Sequence, residues 1–521
     1  MTTVPTVPAD DEIDDDGHDL PRPMLVPSLA VDDAALTAEL AGPGPARFTP
    51  RLVAAVTATA LLEPRDEYVD RAAARAWSER RPWAPWRVRL TFVVALVAVG
   101  IPLSFLMSWL WATSAPSHGP VSDLVSAFSL IWILLAVPVL LNVVGALTFR
   151  NASPTGPVSP ITNPVCFRIV TRGTNVSAVV KTVRAVQAQM QRTPLFPYCI
   201  EVVTDTELPL PTDRGLRTIV VPADYRPPSG ARFKARALHY ALQVSPLDDT
   251  VWLFHLDEET HIQASVVRGI RNAIVEEEAS GELRIGQGVV LYHRDLKEHP
   301  FLTLADSVRT GDDLGRFRLQ HLVGQTAFGM HGSFILVRND VEKDVGFDLG
   351  PSGSVTEDAW WSLAEMAKGH RSRWVDGYCL EQSTQSCTDF IKQRRRWFVG
   401  LCLVCLLAPA RLWHRLALVS SVTLWGVGWL GWWSVSIAVI LTNVRIPLVV
   451  FVVGAVSLAA YSALYLLGLD LNLHQRGLPW YRRIPWYVAQ ILLLPFFSML
   501  EGSAVMYGLI RPDINFHVVK K

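Results

Sequence analysis

The stretch "TVWLFHLDEETHIQ", residues 250–263, joins an apolar run to three adjacent carboxylates, those of Asp257, Glu258 and Glu259. The apolar run is typical of a buried β-strand, and apolar residues at helical spacing from Ile262 onward predict that a helix follows. Adjacent like charges repel each other and resist removal from water. We therefore expect these carboxylates to lie at the end of a buried strand because they bind something there.

The same alternation of strands and helices extends over residues 165–395. The segments "CFRIVT" (166–171) and "CIEVVTD" (199–205) predict two further strands, with a helical pattern between them. Such alternation predicts a largely parallel α/β sheet covered by helices, and ligands of these sheets bind at the carboxyl ends of the strands. Asp205 and Asp257 both lie at such an end.

Four apolar segments flank this α/β block, and each is long enough to cross a bilayer as a helix. They are residues 90–112, 124–148, 414–441 and 446–468. Arginines precede the first segment, whereas the loop after it has no Lys or Arg. The positive-inside rule therefore places the N-terminus and the α/β block in the cytoplasm. The composition agrees with a membrane protein, since 50% of the residues are hydrophobic and 18 are Trp.

A fifth apolar stretch, residues 484–510, is interrupted by Pro485 and Pro495 and contains Glu501, whose charge is costly inside a bilayer. We expect it to lie at the interface or to re-enter the membrane, which leaves an even number of crossings and a cytoplasmic C-terminus. The other segments are predicted to be an acidic disordered tail, a cytoplasmic juxtamembrane segment, an interfacial helix and a C-terminal loop. Their residues are 1–50, 51–89, 396–412 and 511–521, respectively.

Three explanations compete for the acidic cluster after the strand. Asp257 and Glu259 could hold Mg²⁺ or Mn²⁺ against a diphosphate, because oxygen ligands suit these hard cations. An ATPase would also have an apolar run followed by Asp-Glu, but its phosphate loop needs a Gly-Lys dipeptide, which this sequence lacks. Carboxylates at the start of a helix also stabilise that helix without any ligand.

Two motifs further along the chain favour the metal-binding explanation. The segment "TEDAWW" begins another predicted helix with Glu357 and Asp358, and a carboxylate there can take a proton from a hydroxyl group. The segment "QRRRW" (393–397) places polar and aromatic side chains at the boundary of an apolar segment. Each motif alone is weak evidence, but together they follow Asp205 and the acidic cluster in one α/β block.

The order of these motifs resembles that of the inverting membrane glycosyltransferases of family 2, which have the GT-A fold and include cellulose, chitin and hyaluronan synthases. The resemblance covers residues 165–400 and the C-terminus. There, "NFHVVKK" (515–521) is similar to the gating loop of cellulose synthases, except that Val519 replaces a Thr. The stretches "HLDEETHIQASVVRGI", "GMHGSF" and "TEDAWW" are similar to egghead-type β-1,4-mannosyltransferases, which use GDP-mannose.

The resemblance implies a GT-A domain, inserted between transmembrane helices, that transfers mannose from GDP-mannose to a lipid-linked or glycan acceptor with a β-glycosidic product. Mg²⁺ or Mn²⁺ is the implied cofactor, with Asp257 and Glu259 as its ligands, and Asp358 is the implied general base. The donor is expected to contact Thr171, Arg172, Asp205, Lys234, Asp257, Gln393, Arg395, Arg396 and Lys520, and the acceptor His331, Glu357 and Trp397.

Two other functions stay open at the level of sequence. A processive β-glycan synthase that uses a UDP- or GDP-sugar would carry the same Q-x-x-R-W motif, so this motif does not distinguish it from an enzyme that adds one sugar. A transporter or membrane scaffold would not need the ordered acidic motifs, and we would expect more charges inside its apolar segments. No nucleic-acid partner is expected, and the expected location is the plasma membrane.

Overall fold

The computed structural model describes residues 85–114, 119–130, 133, 136–150, 158–210, 215–294, 296–442 and 446–512. The strands are β1 (Val165–Thr171), β2 (Tyr198–Thr204), β3 (Leu216–Val220), β4 (Trp252–Asp257), β5 (His261–Ile262), β6 (Arg284–Leu291), β7 (Ile335–Arg338) and β8 (Arg371–Leu380). Within the described ranges they form one mixed sheet with the order β3-β2-β1-β4-β7-β6-β8-β5.

Helices precede the sheet, connect its strands and follow it. Before the sheet lie α1 (Pro85–Thr113), α2 (Pro120–Ser129) and α3 (Ala136–Leu147). Between the strands lie α4 (Val176–Arg192), α5 (Phe233–Val244), α6 (Ala264–Ser280), α7 (Pro300–Asp312), α8 (Arg318–Leu322), α9 (Asn339–Val345), α10 (Gly350–Gly353) and α11 (Glu357–Lys368). After the sheet follow α12 (Cys387–Leu407), α13 (Leu412–Thr442), α14 (Leu448–Gln475) and α15 (Trp480–Ile510). A π-helical turn, Asp313–Phe317, joins α7 to α8, with a kink at Gly315, whose backbone dihedral angles are not helical.

The predicted strand before the acidic cluster, β4, lies in the middle of the sheet. It pairs in parallel with β1 and antiparallel with β7, and β1 to β3 are parallel to one another. The ends of these parallel strands coincide, because Val170 lies opposite Asp257 and Thr171 lies opposite Thr204. The predicted α/β sheet is confirmed, and β7 and the two-residue β5 are the exceptions to its parallel direction.

Both faces of β4 are buried, which explains why its sequence is apolar without alternation. On one face, Phe254 packs against Phe167 and Phe334, with ring centroids 5.8 Å and 5.2 Å apart, beneath α4 and α6. On the other face, Leu253 lies among side chains of α5, α9 and α11. Burial of each such side chain stabilises the fold by about 1.5–3 kcal/mol, so the acidic cluster follows a firmly held strand.

Apolar helices lie on both sides of the sheet domain in sequence. Within the described residues, α1, α14 and α15 are long and apolar enough to cross a membrane, and α13 has 31 residues. The helices α1 and α14 pack together, since Trp111 Nε1 donates to the carbonyl of Ile446 at 3.3 Å and a Cβ on Gly100 would lie 3.7 Å from that of Ala459. These features are consistent with a membrane protein.

Helix α14 also packs directly on the sheet domain. A Cβ on Gly468 would lie 1.9 Å from the carbonyl oxygen of Ser307 in α7, and one on Gly311 would lie 2.4 Å from the carbonyl oxygen of Leu464. Side chains larger than hydrogen would force the two helices apart. The sheet domain therefore rests against the apolar helices through close backbone contacts.

One spanning helix over residues 124–148 stays a prediction. The described residues of this stretch include α2, which ends at Ser129, and α3, which begins at Ala136 and has 12 residues. Helix α3 packs on the π-helical turn. A Cβ on Gly145 would lie 2.1 Å from the carbonyl oxygen of Gly315.

Residues 484–510 lie in α15, a continuous helix of 31 residues that contains both Pro485 and Pro495. The prolines therefore do not interrupt it, and its length and hydropathy allow it to cross a membrane. An interfacial location for this helix stays a prediction.

The segment 396–412, predicted to be an interfacial helix, contains the second half of α12, which ends at Leu407. The next helix, α13, begins at Leu412, the last residue of that segment. The acidic tail and most of the juxtamembrane and C-terminal segments lie outside the described residues.

Candidate active site

A cavity of 1060 Å³ lies at the carboxyl ends of β1, β2 and β4. Its walls carry most of the side chains that the sequence analysis selected. They are Thr171, Arg172, Asp205, Lys234, Asp257, Glu259, His331, Glu357, Asp358, Gln393, Arg396 and Trp397. The fold thus brings motifs that are distant in sequence into one site.

Lys234, near the start of α5, joins the two acidic motifs. Its Nζ atom donates to Asp257 Oδ1 at 2.5 Å and to the carbonyl of Gly332 at 2.8 Å, and it lies 3.8 Å from Glu357 Oε1. Burial lowers the pKa of this ammonium group, but the carboxylates of Asp257 and Glu357 together raise it above its usual value. The protein itself therefore supplies a positive partner for the acidic side chains.

Gly332 lies where the two acidic motifs approach each other. A Cβ on this glycine would lie 3.1 Å from Lys234 Nζ, 3.2 Å from Asp358 Oδ2 and 3.8 Å from Glu357 Oε1. Any side chain here would occupy the space between the ammonium group and the carboxylates. The segment "GMHGSF" therefore contributes a glycine that the sequence analysis did not single out.

Glu357 and Asp358 begin α11, where the N–H of Ala359 donates to Asp358 Oδ1 at 2.8 Å. Burial raises the pKa of Asp358, although Lys234 and this backbone N–H oppose the rise. Burial, followed by the charge of Asp358, raises the pKa of Glu357 to about 7. A buried carboxyl group whose pKa is raised is suited to take a proton from an incoming hydroxyl group.

The carboxylates after β4 point to different partners. Asp257 faces Lys234, whereas Glu258 accepts a short hydrogen bond from the hydroxyl group of Thr171 at the end of β1. Glu259 is buried and lines the cavity. Among the described residues, no three His, Cys, Asp or Glu side chains are grouped so as to hold a metal. Asp257 and Glu259 as the ligands of a divalent ion therefore stay a prediction.

Polar groups at the neighbouring strand ends extend the site. Asp205 Oδ1 lies 2.5 Å from Arg236 Nη2, and 33% of the Asp205 side chain is exposed. Arg172 follows directly after β1 and also lines the cavity. Arg236, which was not selected from the sequence, lines the cavity as well. This edge of the sheet offers hydrogen-bond donors and acceptors to a polar ligand.

The motif "QRRRW" lies on α12, and the packing of this helix decides which of its side chains face the cavity. Those that do are Gln393, Arg394, Arg396 and Trp397. Arg395 faces away: its Nε atom donates to the carbonyl of Arg511 at 3.1 Å, and its guanidinium group stacks over Tyr507. The position of Arg395 therefore does not support its expected contact with the donor.

Arg394 is the centre of a buried ion network. This residue was not selected from the sequence. Its Nη2 and Nε atoms donate to Asp306 Oδ1 at 2.5 Å and to Glu501 Oε1 at 3.0 Å. The indole N–H of Trp425 donates to the other oxygen of Glu501 at 3.0 Å. The charge of Glu501 is therefore paired, and α12 is tied to α7, α13 and α15.

Two guanidinium groups lie over the ring of Trp397. Those of Arg309 and Arg394 are 4.6 Å and 4.2 Å from the ring centroid, and Arg309 also stacks on Tyr292. Such cation–π contacts hold the ring and the arginines in place. Trp397 itself lines the cavity, so its expected contact with a sugar stays a prediction.

His331 lines the cavity beside the acidic motifs. Its Nε2 atom is hydrogen-bonded to Asp313 Oδ1 at 2.6 Å, and its ring centroid is 4.6 Å from that of Phe317. Asp313 and Phe317 are the first and last residues of the π-helical turn. This turn was not predicted from the sequence, because a π-helix has no distinct residue pattern. Lys520, the last predicted donor contact, lies outside the described residues.

The same cavity continues between the apolar helices. Its walls there carry mainly apolar side chains from α1, α3, α12, α13, α14 and α15. Examples are Val99, Leu103, Val139, Leu401, Val422, Leu458 and Leu494. A molecule that filled the whole cavity would therefore need one polar and one apolar part.

Comparisons with known proteins identify relatives of this chain. The sequence model described as glycosyl transferase family group 2 matches residues 252–468. Beta-1,4-mannosyltransferase egh of Drosophila melanogaster is 35% identical over 398 residues, which are 74% of this chain and 85% of that protein. Beta-1,4-mannosyltransferase bre-3 of Caenorhabditis elegans is 31% identical over 435 residues, which are 78% of this chain and 92% of that protein.

A solved structure, mannosyltransferase PcManGT from Pyrobaculum calidifontis in complex with GDP-Man and Mn2+, matches 74% of this chain and 99% of its own, with 13% identity and a TM-score of 0.43.

The family match begins at the first residue of β4 and ends in α14. It therefore contains the acidic cluster, the "TEDAWW" segment and the "QRRRW" motif. The chain belongs to family 2 of the glycosyltransferases, together with the egghead-type proteins.

Proposed function

We propose that this glycosyltransferase transfers mannose from GDP-mannose to a lipid-linked glycan acceptor and forms a β-glycosidic bond. The observation that carries the proposal is the single cavity that joins the acidic motifs to the apolar helices. A nucleotide sugar suits the charged end, and a hydrocarbon chain suits the apolar walls. The choice of mannose rests on the relatives, which are named mannosyltransferases.

Asp358 is the proposed general base. Its carboxylate takes the proton of the acceptor hydroxyl group while that oxygen attacks the anomeric carbon of the donor. The new carbon–oxygen bond forms as the bond from the anomeric carbon to the diphosphate oxygen breaks on the opposite side, so the configuration inverts and GDP leaves. Gly332 keeps space free next to Asp358 Oδ2, where a Cβ would lie only 3.2 Å away.

Polar groups around the sheet edge are proposed to hold the donor. Arg172 and Asp205, which follow β1 and β2, are proposed to contact the nucleoside together with Thr171, and all three line the cavity. Lys234 and Arg396 are proposed to contact the diphosphate, since ammonium and guanidinium groups form strong charge-assisted hydrogen bonds with phosphate oxygens. Gln393 is proposed to join them from α12, and Lys520 from the C-terminal segment.

A divalent ion, Mg²⁺ or Mn²⁺, is the proposed cofactor. The carboxylates of Asp257 and Glu259 would hold it, because both side chains line the cavity. Carboxylate oxygens are the ligands that these ions prefer. When bound, such an ion neutralises charge on the leaving diphosphate. Because the protein would supply two ligands, the diphosphate oxygens can complete the coordination.

The acceptor is proposed to place its sugar near Asp358 and its hydrocarbon between the apolar helices. Glu357 and His331 line the cavity there and are proposed to contact the acceptor sugar. This arrangement requires a membrane-embedded protein with its α/β domain on the cytoplasmic side. We propose the plasma membrane as the location, with the N-terminus in the cytoplasm.

The test uses the full chain, purified into lipid nanodiscs that contain a glycolipid ending in one hexose. GDP- and UDP-sugars are added with Mg²⁺ or Mn²⁺, and the released nucleoside diphosphate and the mass of the glycolipid are measured. We expect release from GDP-mannose that depends on the glycolipid, and a product larger by one hexose. A ladder of longer products would show a processive β-glycan synthase, and release from UDP-sugars alone would refute the proposed donor.

Two substitutions assign the roles. Asp358→Asn should lower transfer at least about 100-fold, since a general base contributes that much, and should leave donor binding in place. Near-normal turnover of this variant would exclude Asp358 as the base.

Asp257→Ala should abolish the metal-dependent part of donor binding, measured by calorimetry with and without Mn²⁺. If donor affinity still depended on the ion, Asp257 would not be a ligand.

A further inference from the structure

The π-helical turn carries a buried carboxylate that the proposed mechanism does not use. The side chain of Asp313 is 1% exposed. Its Oδ2 atom accepts the backbone N–H of Val290 at 3.0 Å, and its Oδ1 atom lies 2.6 Å from His331 Nε2. Both oxygens of this carboxylate are therefore occupied.

Hydrogen-bond chemistry places the proton of His331. A carboxylate only accepts hydrogen bonds, so Nε2 carries the proton and donates it to Asp313. The other ring nitrogen, Nδ1, makes no hydrogen bond within the described residues, and the ring lines the cavity. In the neutral ring, Nδ1 is therefore a hydrogen-bond acceptor that a molecule in the cavity can use.

Packing holds the ring in this orientation. The ring of Phe317, at the other end of the π-helical turn, lies against that of His331. His331 is followed by Gly332, whose Cβ position lies 3.2 Å from Asp358 Oδ2. The same short turn thus fixes the ring from two sides, next to the proposed general base.

We propose that Asp313 is a positioning residue, which fixes His331 as an acceptor for a hydroxyl group of the acceptor sugar. This inference rests on the proposed function and deepens it. One hydroxyl group has one proton, so Asp358 and His331 must serve two different hydroxyl groups. The substrate class is therefore a sugar with a second hydroxyl group beside the one that reacts.

Asp313→Asn is the matched substitution, because it keeps the shape of the side chain. The amide oxygen must face the N–H of Val290, so the amide NH₂ group faces His331 and moves the ring proton to Nδ1. The histidine then presents a donor to the cavity in place of an acceptor. In serine proteases, the equivalent exchange lowers kcat about 10⁴-fold through the wrong tautomer.

A smaller loss is expected here, because His331 orients a hydroxyl group and does not take its proton. We expect kcat/KM for the acceptor to fall about 10- to 100-fold, as for a polar group left without its partner, with the KM for GDP-mannose unchanged. His331→Gln should show the same loss, since its amide can reach Asp313 but places no acceptor at the position of Nδ1. Wild-type kinetics in Asp313→Asn would overturn the proposal.

Acceptors that lack one hydroxyl group distinguish positioning from a structural role. For the wild-type protein, kcat/KM should be lower by a similar factor, about 10- to 100-fold, with one acceptor that lacks a hydroxyl group next to the reacting one. For Asp313→Asn and His331→Gln, the same acceptor should lose nothing further, because the contact is already absent. If, for every such acceptor, the loss caused by the substitution multiplied the loss caused by the missing hydroxyl group, His331 and that hydroxyl group would not interact.

Nitrogen-15 NMR of histidine-labelled protein gives a readout that does not depend on transfer. The His331 signals, assigned by their absence from His331→Gln, should show the proton on Nε2 in the wild-type protein and on Nδ1 in Asp313→Asn. A proton on Nδ1 in the wild-type protein would overturn the proposal. If the wild-type protein transfers no sugar at all, the proposed function fails, and this spectrum still decides the arrangement of Asp313 and His331.

Discussion

Replacement of Lys234 by Met should move the pH profile of transfer to higher pH. Lys234 Nζ and Asp358 Oδ2 lie 3.1 Å and 3.2 Å from one point, the Cβ position of Gly332. The two atoms are thus no more than about 6 Å apart. At about 6 Å, two opposite unit charges attract each other by about 2.8 kcal/mol if the effective dielectric constant is about 20. That attraction corresponds to about two pKa units.

The sign of the shift follows from the two groups. Burial raises the pKa of Asp358, and the charge of Lys234 opposes that rise, so removal of the ammonium group raises the pKa further. A general base acts only when it is deprotonated, so the acid limb of the profile moves upward. Because mobile ions and water in the cavity screen the charges, we expect a shift of about one pH unit.

The measurement is kcat as a function of pH, at saturating donor and acceptor, for the wild-type protein, Lys234→Met and Lys343→Met. Saturation separates the effect on Asp358 from weaker donor binding, which raises KM. Lys343 pairs with the exposed Asp249 at 2.6 Å, so its substitution is the control and should leave the profile unchanged. An acid limb at the wild-type pH in Lys234→Met would refute the electrostatic coupling.

Three further outcomes test other contacts. Gly332→Ala should lower kcat roughly 100-fold, since its methyl group displaces the reacting groups, while the unfolding midpoint in detergent stays unchanged. Glu501→Ala should lower the free energy of unfolding by about 3 kcal/mol and Glu501→Gln by less, so equal losses would contradict the buried ion pair. Arg396→Lys should weaken GDP binding, measured by calorimetry, more than Arg395→Lys, because Arg396 lines the cavity and Arg395 does not.

The acidic cluster after β4 could be located from the sequence because its signals are local. An apolar run without alternation predicts a strand buried on both faces, and the carboxylates follow it directly. Parallel strands bring their carboxyl ends together, so Asp205 and Asp257 were expected on one edge of the sheet. The structure places both on the cavity wall.

Contacts between distant segments could not be predicted in the same way. Glu501 and Arg394 are 107 residues apart, so the sequence showed a charge in an apolar segment without its partner. Arg395 and Arg396 are neighbours on one helix, about 100° apart around its axis, and only the packing of α12 decides which one faces the cavity.

Hydropathy alone does not distinguish contact with lipid from contact with protein. The apolar side of α3 meets the π-helical turn, where Gly145 and Gly315 approach each other closely. The helix α15 continues through Pro485 and Pro495. Helices in membranes tolerate proline because neighbouring groups satisfy the freed backbone carbonyls.

The pairing of α1 with α14 has a consequence for biosynthesis. Trp111 and Ile446, whose hydrogen bond joins the ends of these helices, are 335 residues apart. A ribosome adds roughly 5–20 residues per second, so roughly 20–70 s separate the synthesis of the two residues. For that time α1 exists without its helical partner, while the whole α/β domain emerges between them. The domain therefore has time to fold before the last helices arrive and enclose the apolar part of the cavity.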